Sequence, residues 1–194
     1  MVEPVRRSEE HYTYTDIQSW PEGERWELID GVAYDMTPAP GYKHQETLGE
    51  LFAQFHTFLQ EKPCQVIVGP YDVFLSEDEE PDDTDTIVEP DLLIVCDQSK
   101  ISERGLRGAP DLIIEILSPS SVRLDTKEKF HRYERAGVRE YWIVRPEERT
   151  VMVFRLNENR QYGRPGVYFD TDQVPVVMLD GLTVDLGRVF SRKA

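Results

Sequence analysis

Two short apolar segments, each interrupted by acids at alternate positions, constrain this chain more than any other feature. Side chains alternate across a β-strand. Over residues 87–96, one face carries Val88, Pro90, Leu92, Ile94 and Cys96, and the other carries Ile87, Glu89, Asp91, Leu93 and Val95. Over residues 111–117, one face carries Leu112, Ile114 and Ile116, and the other Asp111, Ile113, Glu115 and Leu117. Each segment reads as a strand packed on both sides, with acids on one face only. Carboxylates there are partly desolvated, which is costly unless a cation or a donor meets them.

The register between the two strands follows from the loop length. With residues 97–108 as the loop, facing residues have numbers summing to about 205. An even sum of about 206 keeps Asp91 and Glu115 on one face and sets them opposite each other. Their Cβ atoms would then lie ~5 Å apart. Two carboxylates so placed repel unless something positive sits between them. Mg²⁺ accepts one or two carboxylates with water and phosphate, whereas a structural ion pair with Arg or Lys satisfies the same demand. Asp111 lies ~13 Å along the strand from Glu115 and is too far to share one ion with it.

A helix is expected from Val122 to Ala136, after the stop and cap signals of Ser118-Pro119-Ser120-Ser121 and before Gly137. At 100° per residue, Asp125, Tyr133 and Ala136 lie within about 40° of Lys129. Arg123, Lys127, His131 and Arg135 occupy the opposite side. Lys129 is thus a cation near the inward stripe. It either pairs with Asp125, lays its stem along the core with its charge in water, or reaches the Asp91/Glu115 site. In the last case it would stabilise charge on a phosphoryl group or orient an attacking water.

The remaining pattern is α+β. A short helix is expected over residues 14–20, capped by Thr15 or Asp16. Trp26-Glu27-Leu28-Ile29, Asp30-Gly31 and Val32-Ala33-Tyr34 read as a hairpin. From His44 to about Gln60, Leu48, Leu51, Phe52, Phe55, Phe58 and Leu59 share one helical face with His44. Residues 65–68 and 71–75 read as strands about a Gly69-Pro70 turn, and residues 76–85 as an acidic loop. Strands follow at 139–144, 150–156, 167–169, 174–178 and 182–186.

A chain of 194 residues is long enough for one self-supporting domain, taken here as residues 1–194. No run approaches the length of a transmembrane helix, and the first residues lack an apolar signal segment. Cys64 and Cys96 sit in strand-like runs and read as two reduced buried thiols of a cytoplasmic protein. The net charge of −15 argues against a general nucleic-acid coat protein. That charge is uneven: residues 63–99 hold eleven acids and no Lys or Arg, leaving −4 for the rest. Residues 121–140 carry six basic and four acidic side chains. Nucleic acid would therefore approach from the Lys129 side, with the acidic loop facing away.

Glu89-Pro90-Asp91 followed by Glu115 on the next strand resembles the PD-(D/E)xK nuclease superfamily, and within it the Uma-type restriction endonuclease family. The matching stretches are Trp26-Glu27-Leu28-Ile29-Asp30-Gly31, Pro38-Ala39-Pro40 with His44, Glu89-Pro90-Asp91-Leu92, and Pro110-Asp111-Leu112-Ile113-Ile114-Glu115-Ile116-Leu117-Ser118-Pro119-Ser120. The likeness continues through Asp125, Lys129 and Tyr133 into Gly137-Val138-Arg139-Glu140-Tyr141-Trp142-Ile143-Val144 and covers residues 14–190.

The resemblance implies a central mixed β-sheet flanked by helices, with extra N- and C-terminal strands. It implies a Mg²⁺-dependent endonuclease acting on DNA, with Mn²⁺ as a substitute, working as a homodimer because cutting both strands takes two sites. Asp91, Glu115 and the backbone carbonyl of Ile116 would bind the metal. Asp91, Glu115 and Lys129 would be catalytic, with Glu27, His44, Asp111, Asp125 and Tyr133 in support.

The superfamily lysine belongs two residues after the acid, where this chain has Leu117; Lys129 is the substitute on the following helix. The first-helix acid is also missing, because Glu46 and Glu50 point away from the apolar face, leaving His44 or Glu27 for that place. The absent strand lysine favours a rival reading, a catalytically inactive nuclease-fold binding module. A metal-dependent phosphoesterase acting on a smaller substrate is a third.

Overall fold

The computed structural model describes residues 11–21, 23–36, 39–76, 81–119 and 121–191. Pro38, Ser120 and Glu77 to Glu80, which figure in the sequence reading, lie outside them. The first helix, α1 (Tyr14–Gln18), is capped by Thr13 rather than by Thr15 or Asp16. Asp16 instead stands three residues into the helix and accepts from the Thr13 amide at 2.7 Å, the reciprocal half of a capping box. The hairpin of β1 (Trp26–Ile29) and β2 (Val32–Asp35) forms as expected. Asp30 and Gly31 both have positive φ, 49° and 74°, which a tight type I′ turn demands. The long helix α2 (Tyr42–Leu59) buries His44, Thr47, Leu51, Phe55 and Leu59.

The next region departs from the reading. β3 (Gln65–Val68) and β4 (Val73–Phe74) are not a hairpin about Gly69-Pro70; they lie in different sheets. The expected strand over residues 87–96 is likewise two, β5 (Ile87–Val88) and β6 (Leu92–Val95). β4 pairs with β5 and β3 with β6, so the two chains pass from one sheet to the other side by side. They do so at Gly69-Pro70 and Glu89-Pro90-Asp91, because proline brings no N–H to a ladder. The Gly69 amide donates to the Asp91 carbonyl at 3.0 Å. A Cβ on Gly69 would stand 2.7 Å from the Pro90 carbonyl oxygen, so only glycine allows this crossing. The break leaves Asp91 just ahead of β6, at the corner between the sheets.

The polar stretch that follows also holds structure, β7 (Ile101–Ser102) and β8 (Gly105–Arg107). β9 (Leu112–Ile116) then pairs antiparallel with β6, Leu92 facing Ile114 and Ile94 facing Leu112. Continued by one residue, this register sets Asp91 opposite Glu115, the even register expected from the loop length with both acids on one face. A helical segment crosses over to β10 (Glu140–Arg145), which runs parallel to β9. Its first part, Leu124–Lys129, is a widened π turn, and α3 (Phe130–Ala136) completes it. Gly137, at φ 91°, ends it in the left-handed conformation. β11 (Thr150–Arg155), β12 (Gly166–Phe169), β13 (Gln173–Pro175), β14 (Thr183–Asp185) and α4 (Leu186–Val189) complete the chain.

The α+β class stands, with two six-stranded sheets in the orders β2-β1-β5-β4-β8-β7 and β12-β11-β10-β9-β6-β3. One face of the second sheet, through Leu92, Ile114, Ile116 and Trp142, packs on α2 and the β13–β14 region. Its other face, through Leu93, Ile113, Tyr141 and Ile143, packs on Tyr133 and on Val73 and Val88 of the first sheet. The alternation of β9 therefore sends Glu115 into the interior between the sheets and α3. No helix among the described residues is long and apolar enough to cross a membrane.

The expectation of two reduced thiols is corrected: Cys64 and Cys96 form a disulfide. Gln65 faces Val95 in the β3–β6 ladder, so the two cysteines are the next opposed pair. Separate reading of each strand could not show that pairing.

Candidate metal and phosphodiester site

Three elements deliver charged groups to one point under the corner between the sheets. Lys129 Nζ lies 2.8 Å from Glu27 Oε1, 3.0 Å from Glu115 Oε1 and 3.4 Å from Asp125 Oδ1. The π turn keeps Asp125 and Lys129 on one buried stripe with Tyr133, and such turns recur at functional sites. The Tyr133 hydroxyl donates to Glu115 Oε1 at 2.6 Å. Glu27, from β1, accepts from the Glu89 amide at 2.7 Å. The Tyr141 hydroxyl donates to the Asp125 carbonyl at 3.0 Å and fixes the turn.

Asp91 forms the outer part of the site. Its Oδ2 accepts from the Ile116 amide at 2.7 Å, and its Oδ1 lies 3.1 Å from His44 Nε2 at the start of α2. The Asp91 side chain is 22% exposed, whereas those of Glu27, Glu115, Asp125 and Lys129 are at most 4%. The cluster therefore opens to solvent through Asp91.

Three carboxylates share one ammonium in a nearly dry place, and the protons respond. Burial raises Glu27 to about 7, against the pull of Lys129. Burial also raises Glu115 well above the carboxylate range, opposed by Lys129 and reinforced by Asp125, Asp91 and Glu27. Asp125 is raised by burial as well. For Lys129, burial works against the charge, but Glu115, Glu27 and Asp125 outweigh it and hold the ammonium well above its ordinary range. The site carries more negative charge than it can comfortably keep.

That excess suits a hard cation. Asp91 and Glu115 supply oxygen donors from adjoining positions, and the Asp91 charge adds to the cost of ionising Glu115. Glu27 Oε2 and His44 Nδ1 are buried with no hydrogen-bond partner among the described residues. No group of three His, Cys, Asp or Glu is arranged there to hold a metal among the described residues. Mg²⁺ needs no such cage, because water and phosphate complete its shell.

The structure brings together Asp91, Glu115, Lys129, Glu27, His44, Asp125 and Tyr133. Both candidates for the first-helix place, Glu27 and His44, are present, Glu27 against Lys129 and His44 against Asp91. Asp111 is not there: it accepts from the Cys96 amide at 2.8 Å and meets Arg139 at 3.3 Å, at the other end of β9. The backbone group of Ile116 bonded to Asp91 is its amide. Sequence reasoning missed Arg145, which stands next beyond the Val144–Ile116 pair, where the β9–β10 ladder continued by one residue reaches Leu117. Only the parallel pairing reveals that neighbour.

The fold is shared with a crystal structure from Anabaena variabilis described as a putative nuclease belonging to DUF820. The TM-score is 0.73 and the identity 21%, over 93% of this chain and 98% of that one. No curated protein matches. The Uma2 family, described as "Putative restriction endonuclease", matches residues 12–187. With nearly the whole of the two sheets and every residue of the acidic cluster inside that match, the chain belongs to the Uma2 family of restriction-endonuclease-like nucleases.

Proposed function

We propose that this chain is a Mg²⁺-dependent endonuclease that hydrolyses phosphodiester bonds in DNA, in a single nuclease-like domain over residues 1–194. The observation that carries the reading is the excess of buried carboxylate at the one place where Asp91 opens to solvent. Asp91 and Glu115 would hold the ion, with the Ile116 carbonyl beside them. When bound, Mg²⁺ lowers the pKa of a water and stabilises charge developing on the phosphate.

The other groups prepare that place. His44 and the Ile116 amide fix the two oxygens of Asp91. Lys129 and Tyr133 both hold Glu115 at Oε1, which locks its carboxylate plane. Glu27, poised near neutrality, can keep or release a proton inside the cluster. Lys129, 1% exposed, acts by positioning these carboxylates rather than by meeting substrate at the surface. Cutting both strands would take two copies related by a two-fold axis.

The test is nicking of supercoiled plasmid by purified protein. Cleavage with Mg²⁺ or Mn²⁺, abolished by chelator and by Asp91→Ala, is the expected result. Equal behaviour of the wild type and Asp91→Ala sinks the assignment. A second reading, a nuclease-fold binding module without catalysis, draws on one observation: three carboxylates already hold the buried Lys129. Calorimetry separates the two. Mn²⁺ binding that disappears in Glu115→Gln supports the enzyme, and no binding at millimolar Mn²⁺ supports the module.

A further inference from the structure

Hydrolysis of a phosphodiester concentrates negative charge on the phosphate, and preorganised donors aimed at that charge lower its cost. Lys129 cannot be such a donor, since its ammonium is buried and held by Glu27, Glu115 and Asp125. Leu117 offers none. The register of the second sheet supplies another cation. Ile143 faces Glu115 and Val144 faces Ile116 in the parallel β9–β10 ladder. The next pair sets Arg145 beside Leu117, and alternation keeps it on the face of Ile143 and Glu115. Two residues along and one strand across, its Cα lies ~8 Å from that of Glu115.

The state of the guanidinium agrees with this placement. Arg145 Nε is buried with no hydrogen-bond partner among the described residues. Its Nη1 reaches Glu148 at 3.2 Å, and the side chain remains 31% exposed. A buried donor left unpaired is costly, and a phosphate oxygen is a strong acceptor for it. The β10–β11 turn next to Arg145 is also tied to the start of α2, where Lys43 Nζ meets Glu147 Oε2 at 2.6 Å. His44, the partner of Asp91, follows Lys43 directly. Arg145 and Asp91 thus stand on connected parts of one rim.

We propose that Arg145 is the phosphate-contacting residue of this site, gripping the DNA backbone beside Asp91 and Glu115 in the place left empty of charge by Leu117. Glu148 holds the guanidinium until DNA arrives. This rests on the reading of the site as a DNA hydrolase, and its test separates the two.

Binding of a fluorescein-labelled DNA duplex is followed by anisotropy in Ca²⁺ across a salt series, for wild type, Arg145→Gln and Arg145→Lys. Plasmid nicking with Mg²⁺ and thermal melting run beside it. Arg145→Gln should bind roughly tenfold more weakly. It should also lower the slope of log K against log salt by about 0.9, the loss of one phosphate contact. Arg145→Lys should keep the slope and recover part of the affinity, because it keeps the charge but not the fork. Equal affinity and slope in wild type and Arg145→Gln would overturn the assignment, even if metal-dependent nicking by the wild type upholds the hydrolase. A lost contact without metal-dependent nicking in any variant upholds Arg145 and overturns the hydrolase. Unchanged melting in the variants assigns the effect to the contact.

Discussion

Replacing Lys129 with Met removes the cation that Glu27, Glu115 and Asp125 share. The ammonium lies 2.8, 3.0 and 3.4 Å from Glu27, Glu115 and Asp125. At an effective dielectric constant near 20, each contact has a gross Coulomb energy of about 4–6 kcal/mol. Desolvation offsets most of that sum, and breaking a buried pair from one side costs a net ~3–5 kcal/mol. Against a total stability of ~5–15 kcal/mol, the variant should be strongly destabilised at about pH 8.

The pH dependence makes the test specific. Glu27 has its folded value near 7, above its ordinary 4.5. A carboxyl raised in this way keeps its proton in the folded state after the unfolded state has lost it. Its contribution is complete below the unfolded value and is lost as pH rises through the folded one. In Lys129→Met the carboxyls also lose the attraction that lowers them, so they rise further. Stability of the variant should therefore fall more steeply than that of the wild type between about pH 5 and pH 8. Lys129 itself stays charged throughout this range, since its folded value lies well above 10.5.

Urea unfolding, read from the fluorescence of the buried Trp142, gives both quantities. The expected loss is about 3–5 kcal/mol at about pH 8 and at least ~1 kcal/mol less at about pH 5.5. A loss below about 1 kcal/mol that is equal at both pH values would refute the argument that this cluster depends on its cation.

Other parts of the molecule give separate tests. Reducing the Cys64–Cys96 disulfide, which spans a sequence separation of 32, should lower stability by about 2–4 kcal/mol by releasing the unfolded chain; equal urea midpoints with and without dithiothreitol would contradict this. Gly69→Ala drives a Cβ against the Pro90 carbonyl at 2.7 Å. It should cost about 1–3 kcal/mol and shift amide resonances of Asp91 and Ile116; a variant as stable as wild type would show that the strand crossing can relax.

Much of the site was legible because its signals are local. The alternation of β9 put Glu115 among apolar neighbours, and the loop length gave the register that the β6–β9 pairing confirms. Helical periodicity turned Lys129, Asp125 and Tyr133 inward, and all three are buried there. The corner at Asp91 was harder. Residues 87–96 look like one strand because apolar alternation runs through Pro90, and only pairing with two different partners divides them. Asp111 shares the face of Glu115 but lies too far along the strand to join the site.

The sequence by itself determined the class of fold, the paired acids and the lysine that meets one of them, because period and composition act within a few residues. Tertiary structure decided what lies across from what: Cys64 against Cys96, β1 delivering Glu27 beneath Lys129, α2 delivering His44 to Asp91, and Arg145 beside Leu117. Those contacts join residues far apart in the chain. No local pattern encodes them, and they exist only once the sheets have paired and closed the apolar faces against each other.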